Sequence, residues 1–246
     1  MRIFAKLTLT ELKLFLREPM AAFFVLLFPT LLVVILGSIP AFREPTDDLG
    51  GARVIDLYVG IAVVLTLAMV AIQVTPAVLA TYRERGVLRR LATTPVSPLK
   101  LLGAQMAVNA LCAVVSTALV LAVGRLAYDV RLAENFPAFV LAFLLTAAGV
   151  LAIGLFVAAV VPSGKAGNSV GTLLFFPLMF FAGLWTPREV MPGVLQRIAD
   201  FTPLGAGERA LNDAMTGSWP NLLSATVLLG YVAVFGFFAV RSFRWS

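Results

Sequence analysis

Long stretches without a single Asp, Glu, Lys or Arg dominate this chain. Six such runs occur, Ala21–Ile39, Leu57–Tyr82, Leu101–Gly124, Phe136–Val161, Ala166–Trp185 and Asn221–Val240, of 19, 26, 24, 26, 20 and 20 residues. A helix rises about 1.5 Å per residue and the hydrocarbon core is about 30 Å thick, so roughly 20 apolar residues cross it. Ten apolar residues fit a buried strand or helix of a soluble fold; six runs of this length predict six transmembrane helices. Composition agrees: 60% of the 246 residues are apolar, 13% are charged and the mean hydropathy is +0.96. A soluble domain is nearer a quarter charged. The first run is too long for a signal-peptide core and no small-x-small cleavage site follows it, so it is expected to remain. The expected fold class is an all-α polytopic membrane protein in one transmembrane domain over 1–246.

The charges between the runs orient the bundle. With the N-terminus inside, the inner pieces 1–20, 83–100, 162–165 and 241–246 carry 12 Lys and Arg and 3 acidic residues. The outer pieces 40–56, 125–135 and 186–220 carry 7 and 10. Basic residues stay on the cytoplasmic side, so both termini are expected there. The +6 net charge is then a topology and lipid-headgroup signal, and nucleic acid is not needed to explain it.

Two inner segments carry more information. In residues 1–18, Arg2, Lys6, Lys13 and Arg17 fall within an arc of roughly 60° when wound as a helix, with Phe4, Thr8 and Phe15 opposite. This predicts an interfacial helix along the inner leaflet, ended by Pro19, acting first as a lipid anchor. The 83–100 loop opens with Arg83 and Glu84, and Gly86 permits a left-handed turn. Val87–Ala92 suits a short helix with Leu88 and Leu91 on one side and Arg89 and Arg90 towards headgroups or a partner. Thr94 before Pro95 leaves helical geometry, and Ser97-Pro98 then has N-cap and N1 form for the third span.

The stretch ERGVLRRLATTPVS, Glu84 to Ser97, resembles a pattern of the type-2 ATP-binding-cassette permeases, near their daunorubicin-resistance drug-exporting branch. Phe175–Gly207 and the basic helix before the first span fit the same family. The resemblance implies a permease whose coupling helix, Val87–Thr94, docks into a separate ATPase subunit. Glu84, Gly86, Val87, Leu88, Arg89, Arg90, Leu91, Thr94, Pro95, Val96 and Ser97 would make that coupling segment. It also implies a second permease subunit, identical or paralogous, and short extracellular helices over about 187–216 that close the exit. The alternative for the loop is an ordinary basic connection; its glycine and TPVSP punctuation favours coupling.

Residue chemistry excludes much else. The chain has no His and one Cys, Cys112, so histidine bases, most zinc and haem sites and intrachain disulfides fall away. No metal or cofactor is expected in this chain. A phosphate-binding loop needs G-x-x-x-x-G-K-[ST]; around Gly164-Lys165 the flanking positions are Ala159 and Ala166, so ATP and magnesium would belong to the partner. A secondary transporter driven by an ion gradient remains the alternative, although such proteins usually carry titratable groups in their spans and these six runs carry none.

Within the runs, Gln73 and Asn109 come out at similar depth in an antiparallel pair, and the favoured reading is a hydrogen bond between them, ahead of substrate contact. Pro29, Pro76 and Pro177 are expected to kink their helices, and Gly167-x-x-x-Gly171 allows close helix approach. Phe175, Phe176, Phe180 and Phe181 suit either a route for amphipathic substrate or lipid-facing bulk. In the last outer loop, Thr186-Pro187-Arg188-Glu189 has capping-box form. Met191, Val194, Leu195 and Ile198 make one apolar stripe, and Ala210, Leu211, Ala214 and Met215 a second. Arg188, Glu189, Arg197, Asp200, Glu208 and Arg209 read as a solvated face.

Overall fold

The computed structural model describes residues 2–49, 51–87 and 98–242. Among them nine helices form: α1 (Arg2–Leu16), α2 (Pro19–Gly37), α3 (Val54–Glu84), α4 (Pro98–Tyr128), α5 (Phe136–Val160), α6 (Gly164–Phe181), α7 (Gly193–Phe201), α8 (Pro203–Met215) and α9 (Leu222–Ser242). The chain is therefore an all-α polytopic membrane protein, and α2, α3, α4, α5 and α9 are each long and apolar enough to cross a bilayer. α6 differs from the uniform span expected over Ala166–Trp185. It has 18 residues, and Lys165, Asn168 and Ser169 make its first turns polar.

The bundle has a near end, holding α1, the end of α3, the start of α4 and the α5–α6 turn, and a far end, holding α7 and α8. α3 is its axis: 83% of its spanning window is buried inside the protein, against 17% in α9. Ile55, Ile61, Leu65 and Ile72 run down this axis, fully enclosed. α2, α4, α5, α6 and α8 surround it, and α9 packs on the outside of α5. With no hydrophobic force to join helices within lipid, close packing does the work. Glycines permit it: a Cβ at Gly154 would collide with the Ala71 carbonyl, and one at Gly171 with that of Ile72. A Cβ at Gly207 of α8 would likewise strike Thr146 of α5.

Prolines shape two helices. Pro29 in α2 is preceded by a π-helical turn, Phe23–Leu27, and Pro76 in α3 by another, Met69–Val74. Proline lacks the amide hydrogen and its ring crowds the carbonyl four residues back; widening the preceding turn relieves the clash. α6 carries Pro177 inside an unbroken helix.

At the far end the capping box does not form. Arg188–Val190 is a single 3-10 turn and α7 starts only at Gly193, behind Pro192. The cause is local: a residue before proline is driven out of helical geometry, and Met191 is extended at φ −73°, ψ 146°. The first apolar stripe also divides: Met191 is buried, whereas Val194 and Ile198 face outwards with Phe201. In the second stripe Ala210, Leu211 and Ala214 are buried against the bundle.

Candidate functional site: a groove beside the widened turn of α3

The π turn of α3 re-phases the helix, since each added residue rotates the downstream turns by about 100°. Thr75 therefore faces α4. Its hydroxyl donates to the Val70 carbonyl at 2.8 Å, across the wide turn, and accepts from Asn109 Nδ2 at 2.9 Å. Gln105 Nε2 donates to Asn109 Oδ1 at 3.2 Å. The expected Gln73–Asn109 pair does not exist. Gln73 turns away to α6, where its Oε1 accepts from the Thr172 hydroxyl at 3.3 Å. Gln73 lies within the widened turn and faces α6, and Thr75, just beyond it, takes the place opposite Asn109.

Gln73 stands in a groove of 510 Å³ on the flank of the bundle, between α2, α3 and α6. Phe24 and Val25 of α2, Met69 and Val74 of α3, and Phe175 and Phe176 of α6 give it apolar walls. Gln73, Asn168 and Thr172 supply polar contacts, and Glu18 is the one charged lining residue among the described residues. Of the six candidate pathway residues, the structure gathers Gln73, Phe175 and Phe176 here. Asn109 is buried behind α3, 3% exposed, and does not line the groove. Phe180 and Phe181 lie a turn further along α6, edge to face with each other at 5.3 Å. Phe176 stacks on Trp185 at 5.9 Å, closing the groove towards the far end.

Towards the near end the groove continues into a second cavity of 420 Å³ between α1 and the ends of α3 and α4. Glu18, Ala21, Val74, Ala77 and Val78 line both. Glu11 of α1 is buried there, and its carboxylate accepts from the Tyr82 hydroxyl at 2.6 Å. Burial raises the Glu11 carboxyl above the ordinary range, partly opposed by that hydrogen bond. Sequence inspection passed over Glu11, although in helical projection it falls within about 40° of Phe4 and Phe15, opposite the cations. A carboxylate on the inward face was the available signal.

The same end of α3 holds the α5–α6 turn. Arg83 donates to the carbonyls of Ala159, at 2.8 Å, and Val161, which close α5. Glu84 accepts from the Gly164 amide at 3.0 Å, satisfying a free donor at the start of α6, while Ser163 accepts from Ala166 at 3.2 Å. A cation at a helix C-terminus and an anion at an N-terminus are each favoured by the backbone dipoles. Gly86 adopts φ +65°, the left-handed conformation that ends α3. Leu88, Arg89, Arg90, Leu91, Thr94, Pro95, Val96 and Ser97 lie outside the described residues.

At the far end the expected solvated face forms only in part: Glu189 and Arg197 are exposed, whereas Asp200 and Glu208 turn inwards. Asp200 of α7 accepts from Arg188 and Arg209, both at 2.8 Å, tying the 188–190 turn to α7 and α8. Glu208, on the inner side of α8, is 6% exposed. Burial, reinforced by Glu189, pushes its carboxyl up to about 8, against lesser pulls from Arg188 and Arg209. The α8 period puts Glu208 among Leu204, Leu211 and Ala214, a placement that charge counting alone hides.

Comparison with known families decides what this bundle is. Residues 3–215 match the ABC-2 type transporter family. This chain belongs to that family. It is similar to the inner membrane transport permease YhhJ of Escherichia coli, 27% identical over 138 residues, covering 56% of this chain and 37% of YhhJ. It is also similar to the daunorubicin resistance ABC transporter permease protein DrrB1 of Streptomyces coeruleorubidus, 31% identical over 86 residues, covering 34% of this chain and 30% of DrrB1. The matched stretches thus span about a third of each relative's length. An ABC-2 membrane subunit is a transport component.

Proposed function

We propose that this chain is the membrane-spanning permease subunit of an ATP-binding-cassette exporter, moving a hydrophobic or amphipathic molecule out of a bacterial cell. The groove carries this reading: an apolar, laterally placed cavity with a few polar contacts is the shape that takes an amphiphile. The subunit sits in the inner membrane with six crossings, α6 as the fifth, and both termini in the cytoplasm. The near end is then cytoplasmic, and the second permease subunit faces the groove. ATP and magnesium bind a separate ATPase, against which Glu84 to Ser97 dock. Drug export is the reading favoured by DrrB1's name; export of a lipid or polysaccharide is the variant within the same family.

The near-end contacts give such docking a route. A push on the 83–100 loop moves the end of α3, and Arg83 and Glu84 carry it to α5 and α6. α6 meets α3 through Gly164, Gly167 and Gly171, which bring no side chain of their own to the contact, so it can slide along α3 and change the groove's width. Pro76 and its wide turn supply the bend. α7 and α8, latched by Asp200, cover the exit.

Replacing Arg89 and Arg90 together by Glu tests the coupling assignment. Membrane insertion is expected to be unchanged while cargo-stimulated ATP turnover by the complex falls to the basal rate. Stimulated turnover equal to the native complex would remove the assignment.

A further inference from the structure

We propose that the groove selects organic cations: an amphiphile's positive group sits at Glu18, Glu11 and Tyr82, with its apolar body between α2 and α6. This deepens the transport reading above and rests on it.

Three observations converge. Glu18 is the groove's one charged lining residue among the described residues, and it also lines the adjoining near-end cavity. It stands at the junction of the two and is exposed, and although it is the N-cap residue of α2 its side chain makes no capping hydrogen bond. Among the described residues no ion pair takes up its charge. Second, Glu11 is 6% exposed in that same cavity and accepts from the Tyr82 hydroxyl. One hydroxyl satisfies only part of a buried carboxylate's demand, and a cation arriving nearby supplies the charge that is missing. Third, Phe15 and Tyr82 line the same cavity as these acids. Rings with carboxylates are how proteins hold weakly hydrated cations, through the quadrupole and the charge together.

Arg17 and Arg85 line the near-end cavity as well and do not line the groove. Both are exposed, on long stems of the kind that can extend to lipid phosphates. The opposite preference, an anion or lipid phosphate held by these arginines, is therefore an outcome the experiment must be able to return.

Tetraphenylphosphonium and tetraphenylborate share shape and apolar surface and differ in the sign of charge. Their binding is to be measured, as labelled ions, to the full chain in nanodiscs of neutral lipid, with empty discs subtracted and without ATP or partner. The phosphonium is expected to bind at least tenfold more tightly than the borate. Glu18→Gln, at an exposed position, is expected to weaken the phosphonium about tenfold and leave the borate unchanged, and Glu11→Gln, which keeps a hydrogen-bond acceptor for Tyr82, to do the same. Phe176→Ala should weaken both ions alike. Equal affinity for the two ions, preference for the borate, or phosphonium binding unaffected by either Gln variant overturns the proposal. None of these results depends on ATP, so a failure here leaves the ATPase-driven reading standing and the two failures are told apart.

Discussion

Asn109 illustrates what one amide does inside a bilayer. It donates to Thr75 and accepts from Gln105, and Thr75 in turn donates to Val70 across the wide turn. Water cannot replace these partners at this depth, so the network fixes both the α3–α4 contact and the turn beside the groove. Such bonds in membranes are worth about 0.6 to 1.7 kcal/mol each. A double-mutant cycle of Asn109→Leu and Thr75→Val, read by unfolding in detergent, is expected to give a coupling of about 1 kcal/mol. The parallel cycle of Asn109→Leu with Gln73→Leu is expected to be additive. Coupling in the second cycle and none in the first would contradict the arrangement. The Arg83 and Glu84 contacts act at the same scale, each satisfying backbone groups at a helix end that no other helix can reach.

At the scale of elements, α6 depends on what it lacks. Gly164, Gly167 and Gly171 present a bare face to α3, and Gly171 lies against the Ile72 carbonyl, four residues before Pro76. Gly171→Leu should force the helices apart at this point. Overpacking typically costs about 1–3 kcal/mol, and here backbone stands opposite, so the loss is expected at the upper end, with a fall in Tm of the purified protein. Unchanged Tm would mean α6 is free to move off. The Gly167–Gly171 contact was legible in the sequence, as were α1, the long apolar helices and the left-handed Gly86. What escaped was register. Hydropathy records that Gln73 and Asn109 lie at equal depth but not that a π turn ahead of Pro76 rotates one away. Nor does it separate α3, largely enclosed, from α9, which faces outwards along most of its length, because the uncharged run of each is similarly apolar. The 186–189 capping box failed for a reason within reach, Pro192, whose effect on Met191 outweighs a favourable cap.

At the scale of the whole molecule, charge is arranged end against end. The far end keeps a buried carboxyl, Glu208, held up at about 8 from an ordinary 4.5. The folded protein then binds a proton between these values that the unfolded chain has lost, so stability falls as pH rises through that window and levels above it. The loss is on the order of a few kcal/mol. Thermal unfolding is expected to show a higher Tm at pH 5 than at pH 9, with Glu208→Gln removing most of the difference. A native pH profile matched by the variant would contradict the placement of Glu208. Across the molecule, the near end offers Glu11, Glu18 and the Arg83–Glu84 clamp, and the groove lies between these and the Asp200 latch.

The central claim is that this bundle has no motor of its own. The direct measurement is uptake of a labelled amphiphile into inside-out proteoliposomes, with the chain alone and with an ATP-binding-cassette ATPase subunit added. With the chain alone, no accumulation is expected under a pH or sodium gradient, or with ATP; with the ATPase, accumulation should appear only with hydrolysable ATP and magnesium. Gradient-driven accumulation by the chain alone would contradict it.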